Sequence, residues 1–288
     1  MTPDEIKEFL KFQVNEITEH HIYKRLAALQ TKEHNRQVLT ELSNEEMGHY
    51  QILNKYTGQM PSPNHRRIRF YTFIARIFGL TFSIKLMEKG EVMAQNAYHQ
   101  HDHLADLQKI AQDEEAHEIK LIELLDEEGL NYMGSVVLGL NDALVEFTGA
   151  LAGYTFALQN AKLVALTGAI TGIAAALSMA ASEYLSTRTE KDIHKNALKA
   201  AFYTGTAYVI TVATLILPFV LLSNVYAGLA LCLLGALVII AIFNYYYSVV
   251  KTESFKRRFT EMAIISTSIA AISFFIGYAL RMLTGIEL

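Results

Sequence analysis

Five apolar stretches follow one another through the second half of the chain, at about residues 134–158, 163–185, 200–222, 225–248 and 262–284. Each is near the ~20 residues that an α-helix needs to cross a bilayer. The third, fourth and fifth contain no charged residue before Arg281. Folding all five into a water-soluble globule would leave almost no polar surface to coat it. The expectation is a five-helix transmembrane domain.

Charge divides the chain in the same place. Residues 1–130 hold 15 Lys and Arg, 21 Asp and Glu and nine of the ten His, whereas residues 131–288 hold 10 basic and 8 acidic residues. The reading is a soluble, acidic domain at 1–130 followed by a membrane domain at 131–288. Basic residues gather in alternate loops. Arg188, Lys191, Lys195 and Lys199 follow the second span, and Lys251, Lys256, Arg257 and Arg258 follow the fourth. Only Lys162 lies between spans one and two, and Ser223-Asn224 between spans three and four is uncharged. Basic loops stay on the cytoplasmic side, which predicts a cytoplasmic N-terminus, a C-terminus outside and a multi-pass protein of a cell membrane. Met1–Leu10 is acidic and amphipathic rather than a secretory leader. The single cysteine, Cys232, lies inside span four, so neither a disulfide framework nor a Cys-x-x-Cys metal centre is expected.

The soluble half carries one acidic pattern twice. Glu16 is followed seven positions on by Tyr23 and then by Glu46-x-x-His49; Glu91 is followed by Tyr98 and then by Glu114-x-x-His117. Residues three apart share a helix face, so each Glu-x-x-His aims a carboxylate and an imidazole inward together. A four-helix bundle completes such a site with one Glu from each remaining helix, and Glu16 and Glu91 are placed to supply them. Glu16, Glu46, His49, Glu91, Glu114 and His117 are therefore the expected ligands of a diiron site. Either Glu46 and Glu114 or Glu16 and Glu91 would bridge. Oxygen donors with one imidazole per ion suit iron, or manganese, better than zinc. Tyr23 and Tyr98 would hydrogen-bond to ligand carboxylates or simply pack their rings in the core. Glu19 and Glu88, one turn from Glu16 and Glu91, are spare acids that read either as accessory ligands or as surface charge. His99, His101 and His103 alternate in a turn and need not converge on one ion.

The pattern predicts helices over Pro3–Gln30, Glu33–Tyr56, Ile84–His99 and Leu104–Glu128, with Thr2 capping the first and Gly58 closing the second. The crossover at His65–Leu86 interleaves Arg66, Arg67, Arg69, Arg76 and Lys85 with Phe70, Tyr71, Phe73, Ile74, Ile77, Phe78, Leu80, Phe82 and Ile84. This composition fits a helix lying in a membrane interface, and equally a bundle or dimer seam.

Within the spans, Asp142 stands out, because a carboxylate in the membrane is costly unless it faces a pathway or a partner. Glu146 lies one turn deeper. Met179 offers a soft thioether that ferrous iron accepts, and Glu183 follows one turn later near the end of span two. Met179 also reads as packing, and Glu183 as a partner of Arg188 or Lys191. Gly168, Gly172, Ala176 and Ala180 form a small-residue seam suited to close helix packing or dimerisation.

The N-terminal half resembles the ferritin-like superfamily, in its rubrerythrin-related branch, through the repeated Glu and Glu-x-x-His positions. The C-terminal half resembles the vacuolar iron transporter family: residues 137–145 (VLGLNDALV) are similar to its first-span signature and residues 176–186 (ALSMAASEYLS) to the end of its second span. Ala143 stands where that family usually has Gly, and Glu146 where a small or hydroxyl residue is more common. The combination resembles prokaryotic membrane-bound ferritins of the erythrin–vacuolar iron transporter type. That resemblance implies a homodimer exporting ferrous iron, or manganese, from the cytoplasm against proton entry, in a prokaryotic inner membrane. The diiron domain would capture, sense or oxidise iron, leaving ferroxidase activity open. A membrane-anchored diiron oxidase or peroxidase is the alternative function, and nothing points to nucleic acid.

Overall fold

The structure is a computed structural model that describes residues 2–88, 104–123, 132–190 and 195–284. All its regular structure is helical among the described residues. The chain divides into two compact units, Met1–Glu127 and Glu128–Leu288.

In the first unit, α1 (Pro3–Ala28) and α2 (Glu33–Thr57) form an antiparallel hairpin. Thr2 caps α1 through a reciprocal capping box with Glu5, which satisfies two otherwise orphaned backbone donors. Gly58 ends α2 at φ 64°, a left-handed conformation that glycine adopts without strain. The following loop is pinned to α1 by polar side chains: Gln13 Nε2 donates to the Gln59 carbonyl at 2.9 Å and the Asn64 amide donates to Thr18 Oγ1 at 2.9 Å.

The crossover is two helices rather than one. Helix α3 (His65–Phe78) starts on an Asn64 side-chain cap and stops at Gly79, whose φ of 89° and ψ of 165° interrupt the helix. Residues 80–88 resume it as α4, four residues ahead of the predicted start at Ile84. Both halves have helical composition, and only the glycine conformation separates them. Ile68, Tyr71, Leu80, Ile84 and Met87 join Ile22, Tyr23, Leu26, Leu39, Leu42 and Leu121 in the unit's principal core. Helix α5 (Ala105–Glu123) contributes Leu107, Ile110 and Ala111 to a second cluster with Phe9, Phe12 and Leu53. Glu91 and Tyr98, and with them His99, His101 and His103, lie outside the described residues.

The second unit holds five helices long and apolar enough to cross a membrane: α6 (Met133–Leu158), α7 (Ala161–Glu190), α8 (Ala197–Leu221), α9 (Val225–Val250) and α10 (Phe255–Thr284). These meet the five predicted spans and make the chain a multi-pass membrane protein. Asn160, Asn196 and Asn224 cap α7, α8 and α9, each accepting from two backbone amides. Each cap satisfies donors that lipid could not.

Small residues let the spans approach. Gly139 lies against the Thr204 carbonyl on α8, and Gly277 on α10 against the Gly153 carbonyl on α6. The predicted seam on α7 packs within the chain: a Cβ at Gly168 would meet Leu151 and one at Gly172 would meet Val212 and Phe147, while Gly205 faces Ala180. Outward-facing Leu166, Ile170, Ile173 and Leu177 are left for lipid.

Gly277→Ala would drive a methyl into a neighbouring backbone that has no side chain to move aside. A loss of about 1–3 kcal/mol is expected, seen as a lowered thermal midpoint in detergent. Gly235→Ala, where nothing lies within 4 Å, should leave the midpoint unchanged.

Candidate metal centre

Three helices of the first unit deliver acids and imidazoles to one buried point. Glu16 comes from α1, Glu46 and His49 from α2, and Glu114 and His117 from α5; all five are buried. Ligand atoms of Glu16, Glu46, His49 and Glu114 all lie within 4.8 Å of one another. His49 Nδ1 stands 3.3 Å from Glu16 Oε2, 3.5 Å from Glu46 Oε2 and 3.4 Å from Glu114 Oε1. His117 Nδ1 stands 3.2 Å from Glu46 Oε1 and 3.7 Å from Glu114 Oε2. The two imidazoles stack, with ring centroids 5.6 Å apart. Five of the six predicted ligands are thus brought together, and the sixth, Glu91, lies outside the described residues.

Electrostatics explain why this cluster is unusual. Burial pushes the Glu16 carboxyl well above its usual range, and the neighbouring Glu46 charge pushes it further. Burial opposes charge on Glu46 as well, but close contact with the His117 and His49 imidazoles wins and holds it at about 2. Burial alone would strip the proton from both imidazoles; contact with Glu114, Glu16 and Glu46 instead raises His49 far above the usual range, and contact with Glu114 and Glu46 raises His117 to about 10. Protons therefore supply the positive charge that buried carboxylates require.

The residues fit a metal in their place. Among the described residues, Glu46 Oε2 and both ring nitrogens of His117 are buried without a hydrogen bond; the carboxylates near His117 are within reach by distance but not aligned for one. Buried polar atoms left in this state cost free energy, and a cation coordinated between carboxylate oxygens and imidazole Nδ1 atoms would satisfy Glu46 Oε2 and His117 Nδ1. A mixed oxygen and nitrogen donor set of this kind suits iron or manganese.

The far side of each imidazole shows two residues that the sequence reading missed. His49 Nε2 meets Asp113 Oδ2 at 3.3 Å, and His117 Nε2 meets Glu45 Oε2 at 2.7 Å. Asp113 and Glu45 are half-exposed, and Lys120 Nζ holds Glu45 at 2.8 Å. The arrangement is crossed, since each imidazole meets the acid that precedes the other Glu-x-x-His. The signal was present: both motifs read acid-Glu-x-x-His. Carboxylates behind ligand imidazoles fix ring orientation and tautomer.

The other candidates are more ordinary. Tyr23 is buried in the core. Glu19 is buried rather than a surface charge, and Arg67 Nη2 lies 3.6 Å from it. Glu88 pairs with Lys85 at 3.0 Å.

In the second unit, α6 contains a π-helical turn, Ala143–Phe147, directly after Asp142. Such turns insert one residue into the helical ladder and recur at functional sites. Asp142 is half-buried, Glu146 is exposed and sits within the turn, and the two carboxyls interact. Tyr208 on α8, which the sequence reading passed over, is fully buried, interacts electrostatically with both, and its hydroxyl has no hydrogen-bond partner among the described residues. Met179 packs against the core of the spans. Glu183 accepts from Ser135 Oγ at 2.6 Å, while Arg188 turns to the Tyr184 hydroxyl and ring.

Residues 133–199, which include Asp142, Glu146, Met179 and Glu183, match the VIT family. That match associates the membrane unit with metal-ion transport. No curated protein matches the chain.

Because His117 holds a proton up to about 10, a metal at its Nδ1 must displace one. Metal affinity should therefore rise with pH throughout the range below about 10, with about one proton released per ligating imidazole; calorimetry in buffers of different ionisation heat counts them. Glu45→Gln and Asp113→Asn should each weaken metal binding about 10- to 100-fold without changing helix content by circular dichroism.

Proposed function

We propose that the protein exports divalent metal from the cytoplasm in exchange for protons. The cargo in this reading is Fe2+, with Mn2+ as the alternative dication, and the working unit is a homodimer. Residues 1–130, which take in the first unit, are read as a ferritin-like diiron four-helix bundle on the cytoplasmic side that captures, senses or oxidises iron. The observation that carries transport is the VIT family match over residues 133–199, which covers the two spans holding every candidate pathway residue.

Asp142 supplies a hard oxygen ligand and an exchangeable proton at one position. Its placement at the mouth of the π turn supports that role, because backbone carbonyls displaced from α-helical pairing become available to a passing cation. Glu146 extends the acidic path, Met179 adds a thioether, and Glu183 marks the end of span two. Tyr208 adds a buried hydroxyl to the electrostatic surroundings of both carboxyls. In the first unit, Glu16, Glu46, His49, Glu114 and His117, completed by Glu91, would hold the two ions. Two irons there would supply one-electron redox chemistry. The protein's part is to hold them away from bulk water, with Glu45 and Asp113 orienting the imidazoles.

The burial of that centre also favours the second reading, a membrane-tethered diiron oxidase, since a mere collecting site has no need to exclude water. Flux separates the two. Protein reconstituted in sealed proteoliposomes should move Fe2+ or Mn2+ in a manner that depends on an imposed pH gradient. Asp142→Asn should reduce flux by about 10- to 100-fold, the loss of one charge-assisted contact, while metal bound by the first unit of the full chain stays constant. Met179→Leu should alter selectivity more than rate, because volume is kept and only the soft ligand is lost. Tyr208→Phe should preserve thermal stability, since its hydroxyl has no partner to lose, yet slow flux. Absence of flux together with oxidase activity would establish the tethered enzyme instead.

A further inference from the structure

Helix α3 is packed on one side and bare on the other. Ile68, Tyr71 and Thr72 are buried, whereas Phe70, Phe73 and Ile77 are 50%, 59% and 56% exposed. Positions 66, 69, 70, 73, 76 and 77 share one helical face. The three apolar side chains therefore form an outward stripe, with Arg66 at its start and Arg69 and Arg76 along its flank, all three exposed. No acidic residue occurs anywhere in the helix. Arg67 is different: it turns inward, donating to Asn15 Oδ1 at 2.9 Å and lying 3.6 Å from Glu19.

Two of the three apolar side chains beside the three outward arginines are phenylalanines, and the metal centre of this unit does not use them. We propose that this face of α3 docks on the headgroup layer of a bilayer containing anionic lipid. Phe70, Phe73 and Ile77 would enter the boundary between headgroups and acyl chains, and Arg66, Arg69 and Arg76 would meet the lipid phosphates. A helix of this length lays about 21 Å of face on the surface, and an amphipathic helix with a basic flank binds there by apolar burial and charge together. The membrane is at hand, because the same polypeptide carries five helices able to cross it; tethering makes docking an intramolecular event. A second copy of the chain fits the face less well. Two-fold packing of α3 on itself sets arginine rows together with no acid on either helix to receive them.

The inference rests on the membrane-spanning helices and the exposed stripe, not on the transported ion, so a failure of transport leaves it standing. The test uses the full chain in lipid nanodiscs. Phe73→Cys carries an environment-sensitive fluorophore, Thr40→Cys on the exposed face of α2 serves as control, and buried Cys232 makes the unsubstituted protein the labelling blank. Quenching by spin-labelled lipid is compared in phosphatidylcholine alone and in phosphatidylcholine with phosphatidylglycerol. In the anionic discs at low salt, the label at position 73 should be quenched several-fold more than the control, and the difference should shrink as salt is added. Combining Arg66→Gln, Arg69→Gln and Arg76→Gln should lower surface partitioning about 100-fold and bring the signal to the control level. Quenching at position 73 no greater than the control, or equal in both lipid compositions, overturns the proposal. So does a disulfide between two copies of the Phe73→Cys protein without lipid quenching, which assigns the face to a second chain.

Discussion

Carboxylates cannot be gathered inside a helical bundle without positive charge among them. Glu16, Glu46 and Glu114 are all buried within a few ångströms of one another, and every other feature of the first unit's centre answers that demand. Two imidazoles are inserted between the acids; protons stay on those imidazoles far above their usual range. Long helices with staggered apolar clusters hold the backbone rigid enough to keep like charges close. A site that must be neutralised by something mobile, whether protons or metal ions, is by its construction an exchange site.

The membrane unit solves the converse problem. Its backbone is satisfied within helices, three of them closed at the N-terminus by asparagine side chains, and its packing depends on backbone approaches at Gly139 and Gly277 that leave no room for a side chain. Against this closely fitted background the π turn beside Asp142 on the first span and the buried Tyr208 hydroxyl on the third are departures. Departures from ideal helical order that coincide with ionisable groups mark where a packed domain serves something besides stability.

Much of this was legible in the sequence because it repeats with helical spacing. Uninterrupted apolar runs gave the five spans, and the Glu-x-x-His pairs placed Glu46 with His49 and Glu114 with His117 on inward faces. Gly58 was readable as a helix end. Gly79 was not, because a glycine inside a strongly helical pattern shows its φ only once the flanking faces are packed. Burial of Glu19 depended on Arg67 arriving from α3, a long-range pairing that no local spacing encodes. Tyr208 carried no signal either, since one tyrosine among apolar residues on a span looks like packing until its hydroxyl is found buried without a hydrogen bond among the described residues. Glu45 and Asp113 were hidden by their company, being adjacent to stronger candidates in an acidic stretch.

The crossing of those two outer acids means that neither motif holds its own imidazole. His49 on α2 leans on Asp113 of α5, and His117 on α5 leans on Glu45 of α2. Any sliding of one helix past the other therefore disturbs both rings at once and in opposite senses along the bundle axis. The centre acts as a gauge of helix register: its two imidazoles keep their aim only while α2 and α5 stay level.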